Sequence, residues 1–185
     1  MSLEQLWAGW RASYVASVSE PAVGADGGPA TEAASGDAPA PGAPACVFCR
    51  ILASDAGDEE RRVVHVGPFA VALLNAYPYT SGHLLVLPLR HVQSLSELEP
   101  QESLGLWETA RAAVDALERA YRPDGVNLGA NLGRAAGAGI PSHLHLHAVP
   151  RWFGDTNFMT SIAETRVLPE SLGASWAKLR AAWAP

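Results

Sequence analysis

Three histidines alternate with aliphatic residues in the segment Ser142-His143-Leu144-His145-Leu146-His147-Ala148-Val149-Pro150-Arg151-Trp152. A β-strand sends successive side chains to opposite faces. The pattern therefore sets Leu144 and Leu146 on one side and His143, His145 and His147 on the other, roughly 6.5–7 Å apart along it. A lone histidine on such a face is ordinarily a hydrogen-bonded core residue. Three in strict alternation are not, because packing alone favours aliphatic side chains there. Half of the chain's six histidines stand in these five positions. The segment must fold as strand, and its histidine face is functional.

Two chemistries could use that face. Imidazoles at i and i+2 can hold a metal, as in strand-borne zinc sites. Alternatively one imidazole can act as a nucleophile while its neighbours orient it and handle protons. Neutral imidazole suits phosphoryl and nucleotidyl transfer near pH 7, because its ring nitrogen attacks as a base and the N–P bond it forms is labile.

The run H-x-H-x-H followed by two apolar residues closely resembles the histidine-triad (HIT) family of nucleotide hydrolases and transferases. Further landmarks follow the family's order: Cys46-Val47-Phe48-Cys49-Arg50-Ile51, then Leu74-Asn75-Ala76-Tyr77-Pro78-Tyr79-Thr80-Ser81-Gly82-His83, then Pro88 and His91. Leu6-Trp7, Trp10-Arg11 and Tyr14, the run Asn127-Leu128-Gly129-Ala130-Asn131-Leu132-Gly133, and Pro150-Arg151-Trp152 with Gly154 to Phe158 are similar to one branch. That branch contains bacterial diadenosine tetraphosphate hydrolases and phosphorylases. The resemblance covers residues 3–14 and 46–172. It implies attack of the middle histidine, His145, on an α-phosphate through a nucleotidyl-histidine intermediate, with His147 binding the phosphate and His83 close by. It also implies an α+β, HIT-like fold and a homodimer.

Length and composition agree with a single folded body. A chain of 185 residues with 48% hydrophobic and 17% charged residues can bury a core without disulfides. A net charge of −6 argues against a general nucleic-acid binder, which would carry a basic face. No apolar run approaches 18 residues, so no membrane span is expected. The start Met-Ser-Leu-Glu-Gln has neither a basic lead nor an apolar stretch, which makes the cytoplasm the expected compartment. Residues 16–45 contain no aromatic, Lys or Arg and are mostly Ala, Gly, Pro and Ser. Such a segment cannot offset its ordering entropy by burial and reads as a flexible tether. It separates an N-terminal helix (within 1–15) from a HIT domain over 46–172, followed by a helical tail over 173–185.

In the main body, short strands are expected at 62–66 and 69–74 around Gly67-Pro68, and at 83–87 before Pro88. Pro100 suits a first helical position, opening a long helix to Tyr121 that Pro123-Asp124-Gly125 stops. Its apolar stripe reads Trp107, Ala110, Val114, Leu117, Tyr121. Strands at 126–132 and 144–149 complete an antiparallel sheet of about five strands. Trp107, Trp176 and Trp183 exceed what a small half-covered sheet needs, and a two-fold interface would bury them.

Cys46 and Cys49 are the only cysteines. They could be a redox pair, two buried thiols, or half of a zinc site. The resemblance adds His91 and His143 as the remaining ligands of a structural Cys₂His₂ zinc, with no open position for catalysis. His65 has no counterpart in the family and reads as a surface residue. Asn75 stands where many relatives have a ribose-binding aspartate, and a turn-capping role is the plain alternative. The glycine-rich loop at 133–140 lets backbone N–H groups of Gly137, Ala138 and Gly139 approach phosphate oxygens. Many relatives carry Gln-Ser where this chain has Gly139-Ile140; Asn131, Arg134 or backbone amides would have to substitute. Trp152 could stack on a base or cap the core, and Arg151 could pair with phosphate. The reaction implied is cleavage of dinucleoside polyphosphates with water or phosphate as acceptor. The alternatives are phosphoramidate hydrolysis and a non-catalytic nucleotide sensor.

Overall fold

The computed structural model describes residues 46–155 and 169–183. The expected N-terminal helix and tether lie outside the described residues. Elements follow as α1 (Val47–Ala53), α2 (Asp58–Arg61), β1 (Val63–Val66), β2 (Ala70–Leu74), β3 (Leu84–Pro88), α3 (Pro100–Tyr121), β4 (Gly125–Ala130), β5 (Leu146–Arg151) and α4 (Leu172–Ala182). The strands form one antiparallel sheet in the order β1-β2-β3-β5-β4. The architecture is α+β, as the sequence predicts.

Strands β2 and β3 read Ala-Val-Ala-Leu-Leu and Leu-Leu-Val-Leu-Pro because both of their faces are covered. Ala70, Ala72, Leu74, Leu84 and Val86 point to a core shared with Leu106, Ala110, Ala113 and Leu117 of α3. Val71, Leu73, Leu85 and Leu87 point the other way, against Phe48 and Cys46 at the start of α1. The strand period of two thus builds two layers from each run.

Helix α3 opens on a reciprocal cap between Glu99 and Glu102 with Pro100 in its first turn, and closes on Arg122 in the left-handed region (φ 46°). Of the stripe read from the sequence, Ala110 and Leu117 are fully buried and Trp107 is not. Leu106, Thr109, Ala110, Ala113, Ala116 and Leu117 face the sheet, whereas Trp107 is 53% exposed. The cause is close approach: a Cβ on Gly105 would lie 2.8 Å from Phe69 Cβ. Small residues along this seam draw the backbone onto the sheet and rotate Trp107 outward.

The expected strand bounds shift by one or two residues, with β2 and β3 each starting one residue later than expected. Arg62 takes a left-handed conformation that closes α2, so β1 starts one residue late. Strand β4 runs from Gly125 to Ala130, earlier than expected, and β5 from Leu146 to Arg151, later. His143 and His145 therefore precede the ladder that holds His147.

Helix α4 covers the outer edge of β1. Trp176 Nε1 donates to the Val63 carbonyl at 2.8 Å, Arg180 donates to the Val64 carbonyl, and Trp183 stacks on His65 with ring centres 4.9 Å apart. This corrects two expectations. His65 is half-buried rather than on the surface, and Trp176 and Trp183 pack within the chain rather than being left for a partner subunit.

Candidate active site and metal cluster

The extended segment from His143 to His147 passes from one chemical centre to another. At its start, His143 meets Cys46, the residue capping α1, and Cys49 one turn further on. His91, just beyond β3, completes the group. Cys46 Sγ lies 3.4 Å from His143 Nδ1, Cys49 Sγ lies 3.7 Å from the same nitrogen and 3.3 Å from His91 Nδ1. All four ligand atoms fall within 4.8 Å of one another. Bonds of about 2.0–2.3 Å arranged tetrahedrally require ligand separations of roughly 3.3–3.8 Å; the three contacts just given lie in that range, and the donor set suits a metal ion.

The second nitrogen of His143 supports that fit. The Pro88 carbonyl can only accept, so the 3.0 Å contact fixes the proton on His143 Nε2 and turns the Nδ1 lone pair toward the sulfurs. Burial is the main reason His143 is held below its ordinary pKa, against the opposing bond to Pro88. Burial, then the adjacent Cys46, pushes the Cys49 thiol up, so in the absence of a cation the thiol is the favoured form.

His145 is 6% exposed, between the Phe48 ring at 5.3 Å and the His147 ring at 5.0 Å. Its Nδ1 lies 2.8 Å from the His143 carbonyl. A carbonyl accepts, so Nδ1 carries the proton and Nε2 keeps its lone pair. Burial holds His145 below its ordinary pKa, partly offset by the bond to His143. The imidazole is neutral and nucleophilic near pH 7.

His147 is oriented from the opposite side. Tyr79 N–H donates to His83 Nδ1 at 3.1 Å, and Asn75 Nδ2 stands 3.3 Å from the same atom. With donors facing Nδ1, the His83 proton resides on Nε2 and is donated to His147 Nδ1 at 2.9 Å. The remaining His147 proton must then sit on Nε2, a buried atom without a hydrogen-bond partner. Burial, then repulsion from His145 when that ring is protonated, pulls His147 down to about 4. Two imidazoles 5.0 Å apart thus present opposite characters, a lone pair on His145 and an N–H on His147.

Asn75, placed by the resemblance at ribose, here spends its amide on His83 and accepts the Tyr77 N–H at 3.0 Å. In the glycine-rich loop, Gly137 N–H and Ala138 N–H bond back to the Arg134 and Gly133 carbonyls, and Asn131 Nδ2 reaches the Gly137 carbonyl at 3.4 Å. These contacts shape the loop, while Gly139 borders open space. Ile140 packs against the Phe48 cluster. Arg151 is engaged: it forms a two-pronged ion pair with Asp155 at 2.6 and 2.8 Å and bonds Asn127. Trp152 meets Tyr121 edge-on at 6.2 Å. Tyr79, which the sequence offered with Tyr77 and Pro78 as a wall of a base pocket or as loop packing, lies beside His83 and His147 with ring centres 4.6 and 5.9 Å away. Sequence reasoning missed Phe48 as a neighbour of the histidines. Phe48, between the two cysteines in sequence, meets His143 and His145 edge-on with ring centres 5.6 and 5.3 Å apart.

The HIT domain family model matches residues 57–154. The chain is 43% identical over 127 residues to a protein of Mycobacterium tuberculosis described as AP-4-A phosphorylase; the match spans 69% of this chain and 65% of that relative's length. A Zn-bound histidine triad family protein from Mycobacterium smegmatis superposes with a TM-score of 0.61 at 31% identity, covering 75% of this chain and 93% of its own. A hypothetical histidine triad nucleotide-binding protein from Sulfolobus tokodaii gives a TM-score of 0.60 at 27% identity, covering 74% and 91%. Match, fold and the His143–His147 arrangement agree: the chain belongs to the HIT domain family.

Proposed function

We propose that the chain is an enzyme that cleaves dinucleoside polyphosphates such as diadenosine tetraphosphate, with inorganic phosphate as the acceptor. The observation that carries this reading is the pair of fixed tautomers, which sets the lone pair of His145 Nε2 beside the N–H of His147. His145 Nε2 attacks the α-phosphorus, the bond from phosphorus to the bridging oxygen breaks, and the remaining nucleoside polyphosphate leaves as an anion. His147 Nε2–H donates to a non-bridging oxygen, where charge builds in the transition state. An oxygen of phosphate then attacks the phosphorus, the N–P bond breaks, and His145 Nε2 recovers its lone pair. The product of that second step is a nucleoside diphosphate; with water as acceptor it is a nucleoside monophosphate. Phosphate is favoured by the name of the Mycobacterium tuberculosis relative.

Cys46, Cys49, His91 and His143 would hold a structural zinc, as the donor set suits that ion and the Mycobacterium smegmatis relative is described as Zn-bound. Its four protein ligands leave no position for substrate. Bound there, it would tie α1 and the residue after β3 to the start of the histidine segment.

The test is incubation of the purified chain with diadenosine tetraphosphate, with and without phosphate, and chromatography of the products. ADP and ATP formed only with phosphate are expected. AMP and ATP in both reactions would replace phosphorolysis by hydrolysis, and no cleavage would refute the enzyme reading.

A further inference from the structure

The Tyr121 side chain, at the last residue of α3, touches both strand ends that carry the His83–His147 pair. On one side it presses on Gly82, the residue before His83: a Cβ there would lie 2.6 Å from the ring's Cε2. Gly82 also has φ +82°, so the turn into β3 is shaped for this ring by a residue without a side chain. On the other side the ring meets Trp152, which follows the end of β5. Thr80 Oγ1 donates to the Pro150 carbonyl at 3.0 Å and joins the same two strand ends directly.

Tyr121 is itself held from outside the residues that match the family model. Its hydroxyl donates to Glu170 Oε2 at 2.7 Å. Ser175 Oγ donates to the same oxygen at 2.8 Å, and Lys178 Nζ pairs with Glu170 Oε1 at 2.6 Å. Lys178 also lies 4.6 Å above the Tyr121 ring centre. The family match ends at residue 154. Three residues that hold one tyrosine at two positions, hydroxyl and face, go beyond what covering the core requires.

We propose that Tyr121 is a positioning residue for the His83–His147 pair, and that Glu170, Ser175 and Lys178 are the clamp that holds it. The ring is a wedge between the Gly82 turn and the Trp152 corner. It fixes the 2.9 Å separation across which His83 Nε2–H sets the tautomer of His147. Loss of the wedge lets the turn before His83 relax, so His147 samples both tautomers and its Nε2–H is lost for part of the time. This role rests on the proposed function only through its kinetic consequence.

The full-length protein is compared as wild type, Tyr121→Ala, Glu170→Ala and Glu102→Ala. The last removes the cap and the Arg90 ion pair in the first turn of α3, at the far end of the helix from Tyr121. The ¹⁵N–¹H spectrum of the histidine side chains, recorded without substrate, reads the tautomers of His83 and His147. Wild type should show His147 protonated at Nε2 alone. Tyr121→Ala and Glu170→Ala should show averaged ring-nitrogen shifts, and Glu102→Ala should match wild type. In turnover of diadenosine tetraphosphate, the first two variants should lose about tenfold or more in kcat with KM within about twofold, as for a misplaced catalytic group. Unchanged imidazole signals in Glu170→Ala, or equal disturbance in Glu102→Ala, would overturn the proposal. If Tyr121→Ala does not fold, Glu170→Ala decides. Absence of turnover in wild type would remove the proposed function, while the spectra still judge the wedge.

Discussion

The protonation of His147 offers a measurable link between the site and stability. Burial, with a smaller contribution from His145, lowers this imidazole from its ordinary 6.5 to about 4 in the folded chain. The unfolded chain therefore binds the proton first as pH falls. The stabilising contribution is fully present above about pH 6.5 and declines as pH drops toward 4. At pH 5 the unfolded imidazole is almost fully charged and the folded one almost neutral, a difference of about 2 kcal/mol. His147→Gln keeps an amide N–H but removes the titration. Urea unfolding of both proteins at pH 7.5 and pH 5 gives the comparison, because other acid-labile groups contribute to both. Wild type should lose about 2 kcal/mol more than His147→Gln between the two pH values. Equal losses would show that His147 is not held neutral by its surroundings.

Other outcomes follow from the same geometry. His145→Ala should reduce turnover by about a thousandfold or more while the far-ultraviolet spectrum stays that of the wild type; comparable activity would end the nucleophile assignment. Elemental analysis of protein purified without added metal should give one zinc per chain, released on acidification, and Cys46→Ser should lower both zinc content and melting temperature. A zinc-free protein that melts unchanged after that substitution would contradict the assignment. The expected homodimer now rests on exposed Trp107 and Leu104 of α3, and light scattering at micromolar concentration should give twice the chain's 19.5 kDa. A single-chain mass would refute it.

Local pattern carried most of the architecture. The apolar runs of β2 and β3, Gly67-Pro68 between β1 and β2, and Pro100 at the start of α3 are short-range signals, and the structure places each where the sequence puts it. What escaped depends on tertiary packing. The outward rotation of Trp107 follows from Gly105 against Phe69, a contact between α3 and the residue leading into β2 that no helical periodicity encodes. The pairing of Trp183 with His65 spans most of the described chain and left no mark on either segment. At the site, the alternation of the three histidines was legible from spacing, whereas the grouping of Cys46, Cys49, His91 and His143 was anticipated only through the family resemblance. The proton positions were not, because they depend on the carbonyls of His143 and Pro88 and the N–H of Tyr79, groups that every residue carries.

Those backbone partners also decide the direction in which protons can travel. From Tyr79 through His83 to His147, each hydrogen bond points the same way, toward the proposed phosphate. For His147 to surrender its Nε2 proton it would have to be refilled from His83, and His83 from the peptide N–H behind it. A peptide N–H does not give up its proton near neutral pH, so the row of imidazoles cannot be refilled from its Tyr79 end. It acts as a permanently aligned dipole, strongest at the face where negative charge develops. A polyphosphate leaves as a stable anion and draws nothing from such a row. The arrangement thus suits leaving groups that can depart without being protonated.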